Sequence, residues 1–167
     1  MQDSDLFDQI MAKLRTTAEC AQVIVCLEEC SVPTFFSMTN TQKELIFRKL
    51  PIQTIPFFIE AFGKTSITAE EQIVLKRQIN TLLDKFRTCK NVKLIIAFRP
   101  NEETISFFSD WIKKNVKANL LIDLQFDKAI VGGAQIVASG MYKDYSVKKK
   151  LADRFQIQRE EIMDLLN

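Results

Sequence analysis

The residues that could do chemistry are few in this chain, and histidine is not among them. Without an imidazole, a Ser-His-Asp or Cys-His arrangement is excluded, as are most zinc hydrolase sites. The four cysteines are Cys20, Cys26, Cys30 and Cys89, and no two of them form a CxxC pair. We therefore expect reduced cysteines that pack as small apolar side chains. The alternative left open by the cysteine count is a four-thiolate zinc site, although the spacing lacks a zinc knuckle.

Two aspartates and a glycine pair stand in the segment from 120 to 151. Asp123 and Asp127 lie four positions apart around the end of a predicted strand, and neither has a catalytic partner. We expect Asp127 to accept hydrogen bonds from backbone N–H groups at a bend. Gly132 and Gly133 could cradle a phosphate, but they belong to neither a GxGxxG nor a GxxxxGK[ST] motif. A bulge, a positive φ or a close backbone approach is the better interpretation.

The charges do not favour nucleic acid as a partner. The chain has 23 basic and 21 acidic residues, so its net charge of +2 produces no strong field. The lysine run from Lys148 to Lys150 could touch anionic lipid or nucleic acid. Three lysines on one helix face water by default, and Asp144 and Asp153 are nearby. These patterns predict no catalytic residue, no cofactor and no metal site.

The first 89 residues carry helical patterns. A helix is predicted over residues 4–15, and Thr16 or Thr17 can cap a second that reaches Leu27, with a short strand at residues 23–25 as the alternative. Further helix starts are predicted from capping boxes at Thr41–Glu44 and Thr68–Glu71 and from an N-cap at Thr54. No apolar run reaches the roughly 18 residues needed to span a bilayer. Since the first residues also lack the features of a signal peptide, we expect a cytosolic protein.

Strand patterns begin after Cys89. Strands are predicted at Val92–Phe98 and Leu120–Phe126, with a helix capped by Asn101 between them, so the two strands should pair in parallel. A hairpin turn is predicted at Ser139-Gly140. Asp144 or Ser146 should cap the next helix, over residues 145–155, and a further helix could follow Gln158. The predicted fold is α+β, with an N-terminal helical bundle over residues 1–89 and a small α/β domain with a short mixed sheet over residues 90–167.

Paired aromatic residues are the main sign of protein binding. Adjacent residues on a two-sided helix cannot both point inward, so some of the pairs Phe35-Phe36, Phe57-Phe58 and Phe107-Phe108 should lie at a domain or subunit contact. The candidate partner-binding residues are apolar side chains of the C-terminal region that one domain cannot bury by itself: Phe107, Phe108, Trp111, Ile162, Leu165 and Leu166.

The segment from Asp127 to Leu151 resembles the C-terminal signature of a known family. It reads Asp127-x-x-Ile130-Val131-Gly132-Gly133, a hairpin, and then Asp144-x-Ser146-Val147-x-x-x-Leu151. The delta subunit of F-type ATP synthase, whose mitochondrial counterpart is the oligomycin-sensitivity-conferring protein, typically shows Asp-Pro-Ser-Leu-Ile-Gly-Gly, a hairpin and Asp-Gly-Ser-Val. Here Lys128-Ala129 replaces Pro-Ser, and Tyr145 replaces the glycine.

The resemblance implies a non-catalytic stator subunit that works by rigid binding. In such a subunit the helical bundle grips the N-terminal helices of the alpha subunits, and the C-terminal domain holds the end of the b-subunit stalk, which resists rotor torque. It would be monomeric within the complex, need no cofactor, and meet the membrane only indirectly, at its cytoplasmic face. The motif residues named above would then be structural or contact a partner. The alternative is an unrelated soluble adaptor that binds protein or RNA, although no strand interleaves basic and aromatic residues as RNA binding requires.

Overall fold

The computed structural model describes residues 3–65, 67–115, 120–138 and 140–165, with side chains from Asp5 to Gln158. Its helices are α1 (Asp3–Lys13), α2 (Thr17–Ser31), α3 (Asn40–Phe47), α4 (Ile55–Phe62), α5 (Ala69–Arg87), α6 (Glu102–Asn115) and α7 (Val147–Leu165). The strands are β1 (Asn91–Ile96), β2 (Leu121–Phe126), β3 (Ala134–Ala138) and β4 (Met141–Asp144). Helices therefore precede a small sheet, which confirms the predicted α+β class.

Capping boxes define three of the helix starts. Thr16 and Glu19 form a capping box at α2, and Thr68 and Glu71 form the predicted one at α5. The box predicted at Thr41–Glu44 is wrong. Helix α3 begins two residues earlier, where Thr39 pairs with Gln42. Thr54 stands at the N-cap position of α4 as predicted, but its hydroxyl donates to the carbonyl of Pro51 instead of capping.

The core of the helical half is rich in phenylalanine. Phe35, Phe47, Phe58 and Phe62 form a continuous series, with ring centroids 5.7–6.2 Å apart along it. Phe36 is buried beside Phe35. The prediction that adjacent aromatic residues cannot both point inward is therefore wrong for this pair. Both lie in a 3₁₀ turn (Pro33–Ser37) that buries these two rings while its other three residues are exposed.

The cysteines belong to the same core. Cys20, Cys26 and Cys30 are buried, Cys89 is half-buried, and all four are free thiols. This agrees with the prediction that they pack as small apolar side chains. Within the part of the chain that the structure describes, no group of three or more His, Cys, Asp or Glu side chains is arranged to hold a metal ion.

The sheet has the strand order β2-β1-β3-β4. Strands β1 and β2 pair in parallel, as predicted, and β3 lies antiparallel to both β1 and β4. Strand β1 ends at Ile96 rather than Phe98, and β2 begins one residue later than expected. Val92, Leu94 and Ile96 alternate with less buried residues, because α6 covers one face of the sheet.

The end of the chain differs from its prediction. A single helix, α7, runs without a break from Val147 to Leu165, so the second helix expected after Gln158 is wrong. The sequence around Gln158 contains neither glycine nor proline and is compatible with an uninterrupted helix. Val116, Ser139 and Leu166 lie outside the described residues. Across the described ranges, no helix is both long and apolar enough to cross a membrane.

Candidate partner-binding site

The bend at Gly132-Gly133 fixes the start of α7 against the start of β3. Gly133 has a φ of +84°, which a residue with a side chain rarely adopts. A Cβ at this position would meet the carbonyl oxygen of Tyr145 and lie 3.1 Å from the Cα of Ser146. The N–H of Val147 donates to the carbonyl of Gly132 across the same contact, at 2.9 Å. The expected positive φ and close backbone approach are therefore both present.

Asp127 organises the turn that precedes this bend. Its Oδ1 accepts a hydrogen bond of 2.8 Å from the N–H of Ala129, as predicted. Its own N–H donates to the carbonyl of Ile96 at 3.0 Å, which ties the turn to the end of β1. Ile130 follows this turn and is buried. These contacts lie within the chain and hold the backbone in position.

Asp144 and Ser146 together begin α7. Ser146 is the capping residue, since its Oγ accepts from the N–H of Lys149 at 3.2 Å. Asp144 accepts from the N–H of Ser146 at 2.8 Å, and its other oxygen accepts from Gln135 and Tyr142 at 3.2 Å each. The hydrogen bonds from Ser146 lower the pKa of the Asp144 carboxyl, to which the other donors contribute. The carboxylate is thus the centre of a network that joins β3, β4 and α7.

An apolar groove of about 390 Å³ opens between α6 and the sheet. All of its lining residues are apolar: Val92, Leu94, Phe107, Phe108, Trp111, Ile112, Ala134, Ile136 and Ala138. Two of the predicted partner-binding residues are strongly exposed at this groove, since Phe107 is 66% exposed and Trp111 is 52% exposed. Phe108 packs edge-to-face against Phe107, with ring centroids 5.8 Å apart. The structure therefore brings the three predicted aromatic residues together.

The groove exists because no described helix covers the β3 part of this sheet face. Leu94 pairs with Leu124 on one side and with Ile136 on the other, so these three side chains share the face on which α6 lies. Ala134 and Ala138 flank Ile136 on that face and leave room above the sheet. These three residues of β3, which form the floor of the groove, were not predicted from the sequence. The sequence pattern that could have indicated them is their alternation with the polar residue Gln135.

The described side chains of α7 are not covered by another element either. Every described side chain from Val147 to Gln158 is exposed, including Leu151, Phe155 and Ile157. Val147 contacts the bend, where its Cγ2 lies 3.1 Å from the position of a Cβ at Gly132. Ile162 and Leu165 continue the helix, but their side chains are not described. The predicted terminal stripe is thus not seen to join the groove.

A second, more polar groove lies in the helical half. It has a volume of about 490 Å³ and is lined by residues of α1, α4 and α5 and of the α4–α5 connection: Leu6, Glu60, Ala61, Lys64, Ile67, Glu70, Glu71, Val74, Leu75 and Gln78. Its apolar floor and charged rim are typical of a surface that accepts an amphipathic helix.

Comparison with known families shows to which family the chain belongs. A sequence profile described as ATP synthase delta (OSCP) subunit matches residues 64–156, which is more than half of the chain. The chain belongs to this family. The matched region contains the glycine bend, the start of α7 and the whole apolar groove, and it confirms the resemblance inferred from the motif. No significant match was found among curated proteins. As a member of the delta (OSCP) family, the protein is a structural subunit of the ATP synthase peripheral stalk, in a complex that couples ion transport to ATP synthesis.

Proposed function

We propose that this delta (OSCP) family member links the catalytic head of an F-type ATP synthase to its b-subunit stalk and resists rotor torque. The observation that carries the proposal is the open apolar groove beside α6, which lies inside the family-matched region. An exposed apolar surface of this kind marks a binding site. Binding without chemistry is the role that the described residues support.

The b-subunit end binds in the groove as an amphipathic helix. Phe107 and Trp111 supply large apolar surfaces at the rim, and the two alanines of β3 allow a helix to approach the floor closely. Burial of such a side chain contributes about 1.5–3 kcal/mol, so these two anchors together would support a specific complex. Helix α7 adds a second apolar surface through Leu151 and Phe155, and the terminal stripe of Ile162, Leu165 and Leu166 extends it.

The alpha subunits bind at the helical half. An N-terminal alpha-subunit helix fits the groove between α1, α4 and α5, whose apolar floor is rimmed by Glu60, Lys64 and Glu71. The helical half, residues 1–89, and the sheet-containing half, residues 90–167, are two domains with separate partners. One copy acts in each complex, without a cofactor, on the cytoplasmic side and peripheral to the inner face of the cell membrane.

Capture of subunits from a native lysate tests this proposal. The tagged chain should recover alpha and b subunits, identified by mass spectrometry. A Phe107→Ser/Trp111→Ser variant should lose the b subunit and keep the alpha subunits, because only the sheet groove is changed. Ile52→Ser is the matched control, since Ile52 is 84% exposed and lies outside both grooves.

Two results would contradict the proposal. Recovery of no ATP synthase subunit by the unchanged chain would remove the linking role altogether. Equal recovery of the b subunit by the groove variant and the Ile52→Ser control would show that the stalk binds elsewhere.

A further inference from the structure

Helix α6 has a second flank, which faces away from the groove and contacts the helical half. Phe107, Phe108 and Trp111 line the groove on one flank. Glu102, Ser106 and Lys113 stand on the other, where helical spacing aligns them. The contacts of Glu102, Ser106 and Lys113 converge on one short segment, residues 12–15, where α1 ends and the connection to α2 begins. The same helix therefore touches both the candidate stalk site and the bundle.

Arg15 joins the start of α6 to the start of α2. Its Nη1 lies 2.9 Å from Oε2 of Glu102 and donates to Oγ of Ser106 at 3.1 Å. Its Nε donates to Glu19 of α2 at 3.0 Å, so the guanidinium is oriented by α2 as well as by α6. The hydrogen bond to Glu19 raises the pKa of Arg15, which stays charged. A planar guanidinium with several partners restricts rotation more than a single ion pair does.

Lys113 holds the other end of the same connection. Its Nζ donates to the carbonyl oxygens of Ala12 at 3.0 Å and Leu14 at 2.7 Å. These carbonyls lie at the C-terminal end of α1, where a cation is favourable. Burial lowers the pKa of Lys113, because the ammonium group is partly withdrawn from water.

The backbone of β2 completes the junction. The N–H of Ile122 donates to the carbonyl of Arg15 at 3.0 Å, and Thr16 forms a parallel bridge with Ile122. Leu121 is buried in the same core as the helices of the N-terminal half. The outer edge of β2 is thus paired with the α1–α2 connection, and the connection is held by a strand edge and by two points on α6.

We propose that this junction fixes the orientation of the apolar groove relative to the helical bundle, with Arg15 and Lys113 as its positioning residues. A linker alone would leave the two halves free to rotate, which is the usual behaviour of domains joined by a short segment. The cation contacts are separated along α6 by about two turns, and backbone pairing stands beside them, so rotation about any one contact breaks the others. If the proposed stator function holds, a pull on the groove reaches the bundle through α6 and β2.

Residual dipolar couplings of the free chain test the junction without any ATP synthase subunit. The couplings of the unchanged chain should fit one alignment tensor across both halves, with the two halves oriented as in this structure. Arg15→Ala/Lys113→Ala should need two tensors, while the chemical shifts within each half stay as they were. Lys113→Arg in place of Lys113→Ala should restore part of the common alignment. Arg87→Ala is the matched control, because Arg87 forms a 2.6 Å ion pair with Glu28 inside the helical half.

Hydrogen exchange at one amide provides a second measurement that does not depend on alignment. The Ile122 amide should exchange about tenfold or more faster in the double variant, a factor that corresponds to about 1.4 kcal/mol. The Leu94 amide, in the centre of the sheet, should keep its exchange rate.

Two alignment tensors in the unchanged chain, or one unaltered tensor in the double variant, would overturn the proposal. If the unchanged chain fits one tensor and the double variant needs two, the junction is supported, whether or not the chain captures ATP synthase subunits. If no subunit is captured, only the proposed stator function fails.

Discussion

The carbonyl oxygen of Tyr145 lies in the space that a Cβ on Gly133 would fill. This contact brings the end of the β3–β4 hairpin back onto the residue that begins it. It joins the two halves of the sequence motif, which are separated by the hairpin along the chain. The glycine is therefore required by the position of a distant backbone group as well as by its own φ of +84°.

Gly133→Ala should destabilise the C-terminal half by about 1–3 kcal/mol, because it adds both backbone strain and a collision with Tyr145. Gly140→Ala is the matched control. Gly140 has a similar φ of +77°, but a Cβ there would meet nothing within 4 Å. Chemical denaturation of both variants compares the two costs. Equal free energies of unfolding for the two variants would show that the contact with Tyr145 adds nothing to the destabilisation.

The stability of the C-terminal half should fall at acid pH through Asp144. Its pKa is lowered in the folded state, so the unfolded chain binds the proton more readily as the pH falls below the ordinary value of 3.8. The stabilisation is therefore present above that value and is lost as pH falls through the lower folded pKa. Thermal unfolding between about pH 5 and pH 2 should show a shallower acid decline for Asp144→Asn than for the unchanged chain.

Tyr142→Phe offers an intermediate case for the same network. It removes one of the hydrogen bonds to Asp144 and leaves the two from Gln135 and Ser146. The acid decline should then lie between those of the unchanged chain and Asp144→Asn. An identical decline in all three proteins would show that this carboxylate is not responsible.

Lys43→Ala should destabilise the helical half by about 1–3 kcal/mol or more, because it removes a buried donor from two backbone carbonyl groups. Lys43 is only 1% exposed. Its Nζ donates to the carbonyls of Phe62 and Lys64 and lies 4.8 Å from the ring centroid of Phe35. Lys49→Ala is the control, since its 2.6 Å bond to Glu29 is at the surface. Chemical denaturation that finds equal losses for both variants would contradict the importance of the buried amine.

Truncation after Phe155 should leave the rest of the chain folded but weaken binding of the stalk segment at least tenfold. The described side chains of α7 beyond Phe155, at residues 156–158, are exposed, so the fold does not depend on them. Loss of two or three apolar side chains from an interface, at about 1.5–3 kcal/mol each, is sufficient for that change. Ile162→Ser/Leu165→Ser in the full chain separates the loss of apolar residues from the loss of helix length. Unchanged affinity in titrations of both variants would exclude the terminal stripe from the interface.

Short-range sequence patterns predicted much of this structure. The capping box at Thr68–Glu71 acts over three residues, and the turn at Asp127 over two, so both could be inferred from neighbouring residues. The parallel pairing of β1 with β2 followed from the handedness of a strand-helix-strand unit. The three aromatic residues of the groove were found because α6 could not bury all of them.

Contacts between distant residues could not be inferred in this way. Arg15 and Ser106 are 91 positions apart, and Lys113 is 99 positions from Leu14, so no local pattern links them. Lys43 stood in a segment whose capping box was assigned two residues too late. A lysine in a surface helix is ordinarily expected to reach solvent, so its burial under Phe35 depended on the tertiary arrangement of α3 and α4.

The fluorescence of Trp111 during titration with the C-terminal segment of the b subunit is the most direct test of the proposed stalk site. Trp111 is the single tryptophan of the chain and is half-exposed at the rim of the groove, so its emission reports on this site alone when the added segment has no tryptophan. Binding should shift the emission to shorter wavelength and reduce quenching by acrylamide, and Phe107→Ser should weaken both changes. If calorimetry detects no binding, or detects binding while emission and quenching stay constant, the stalk does not bind in this groove.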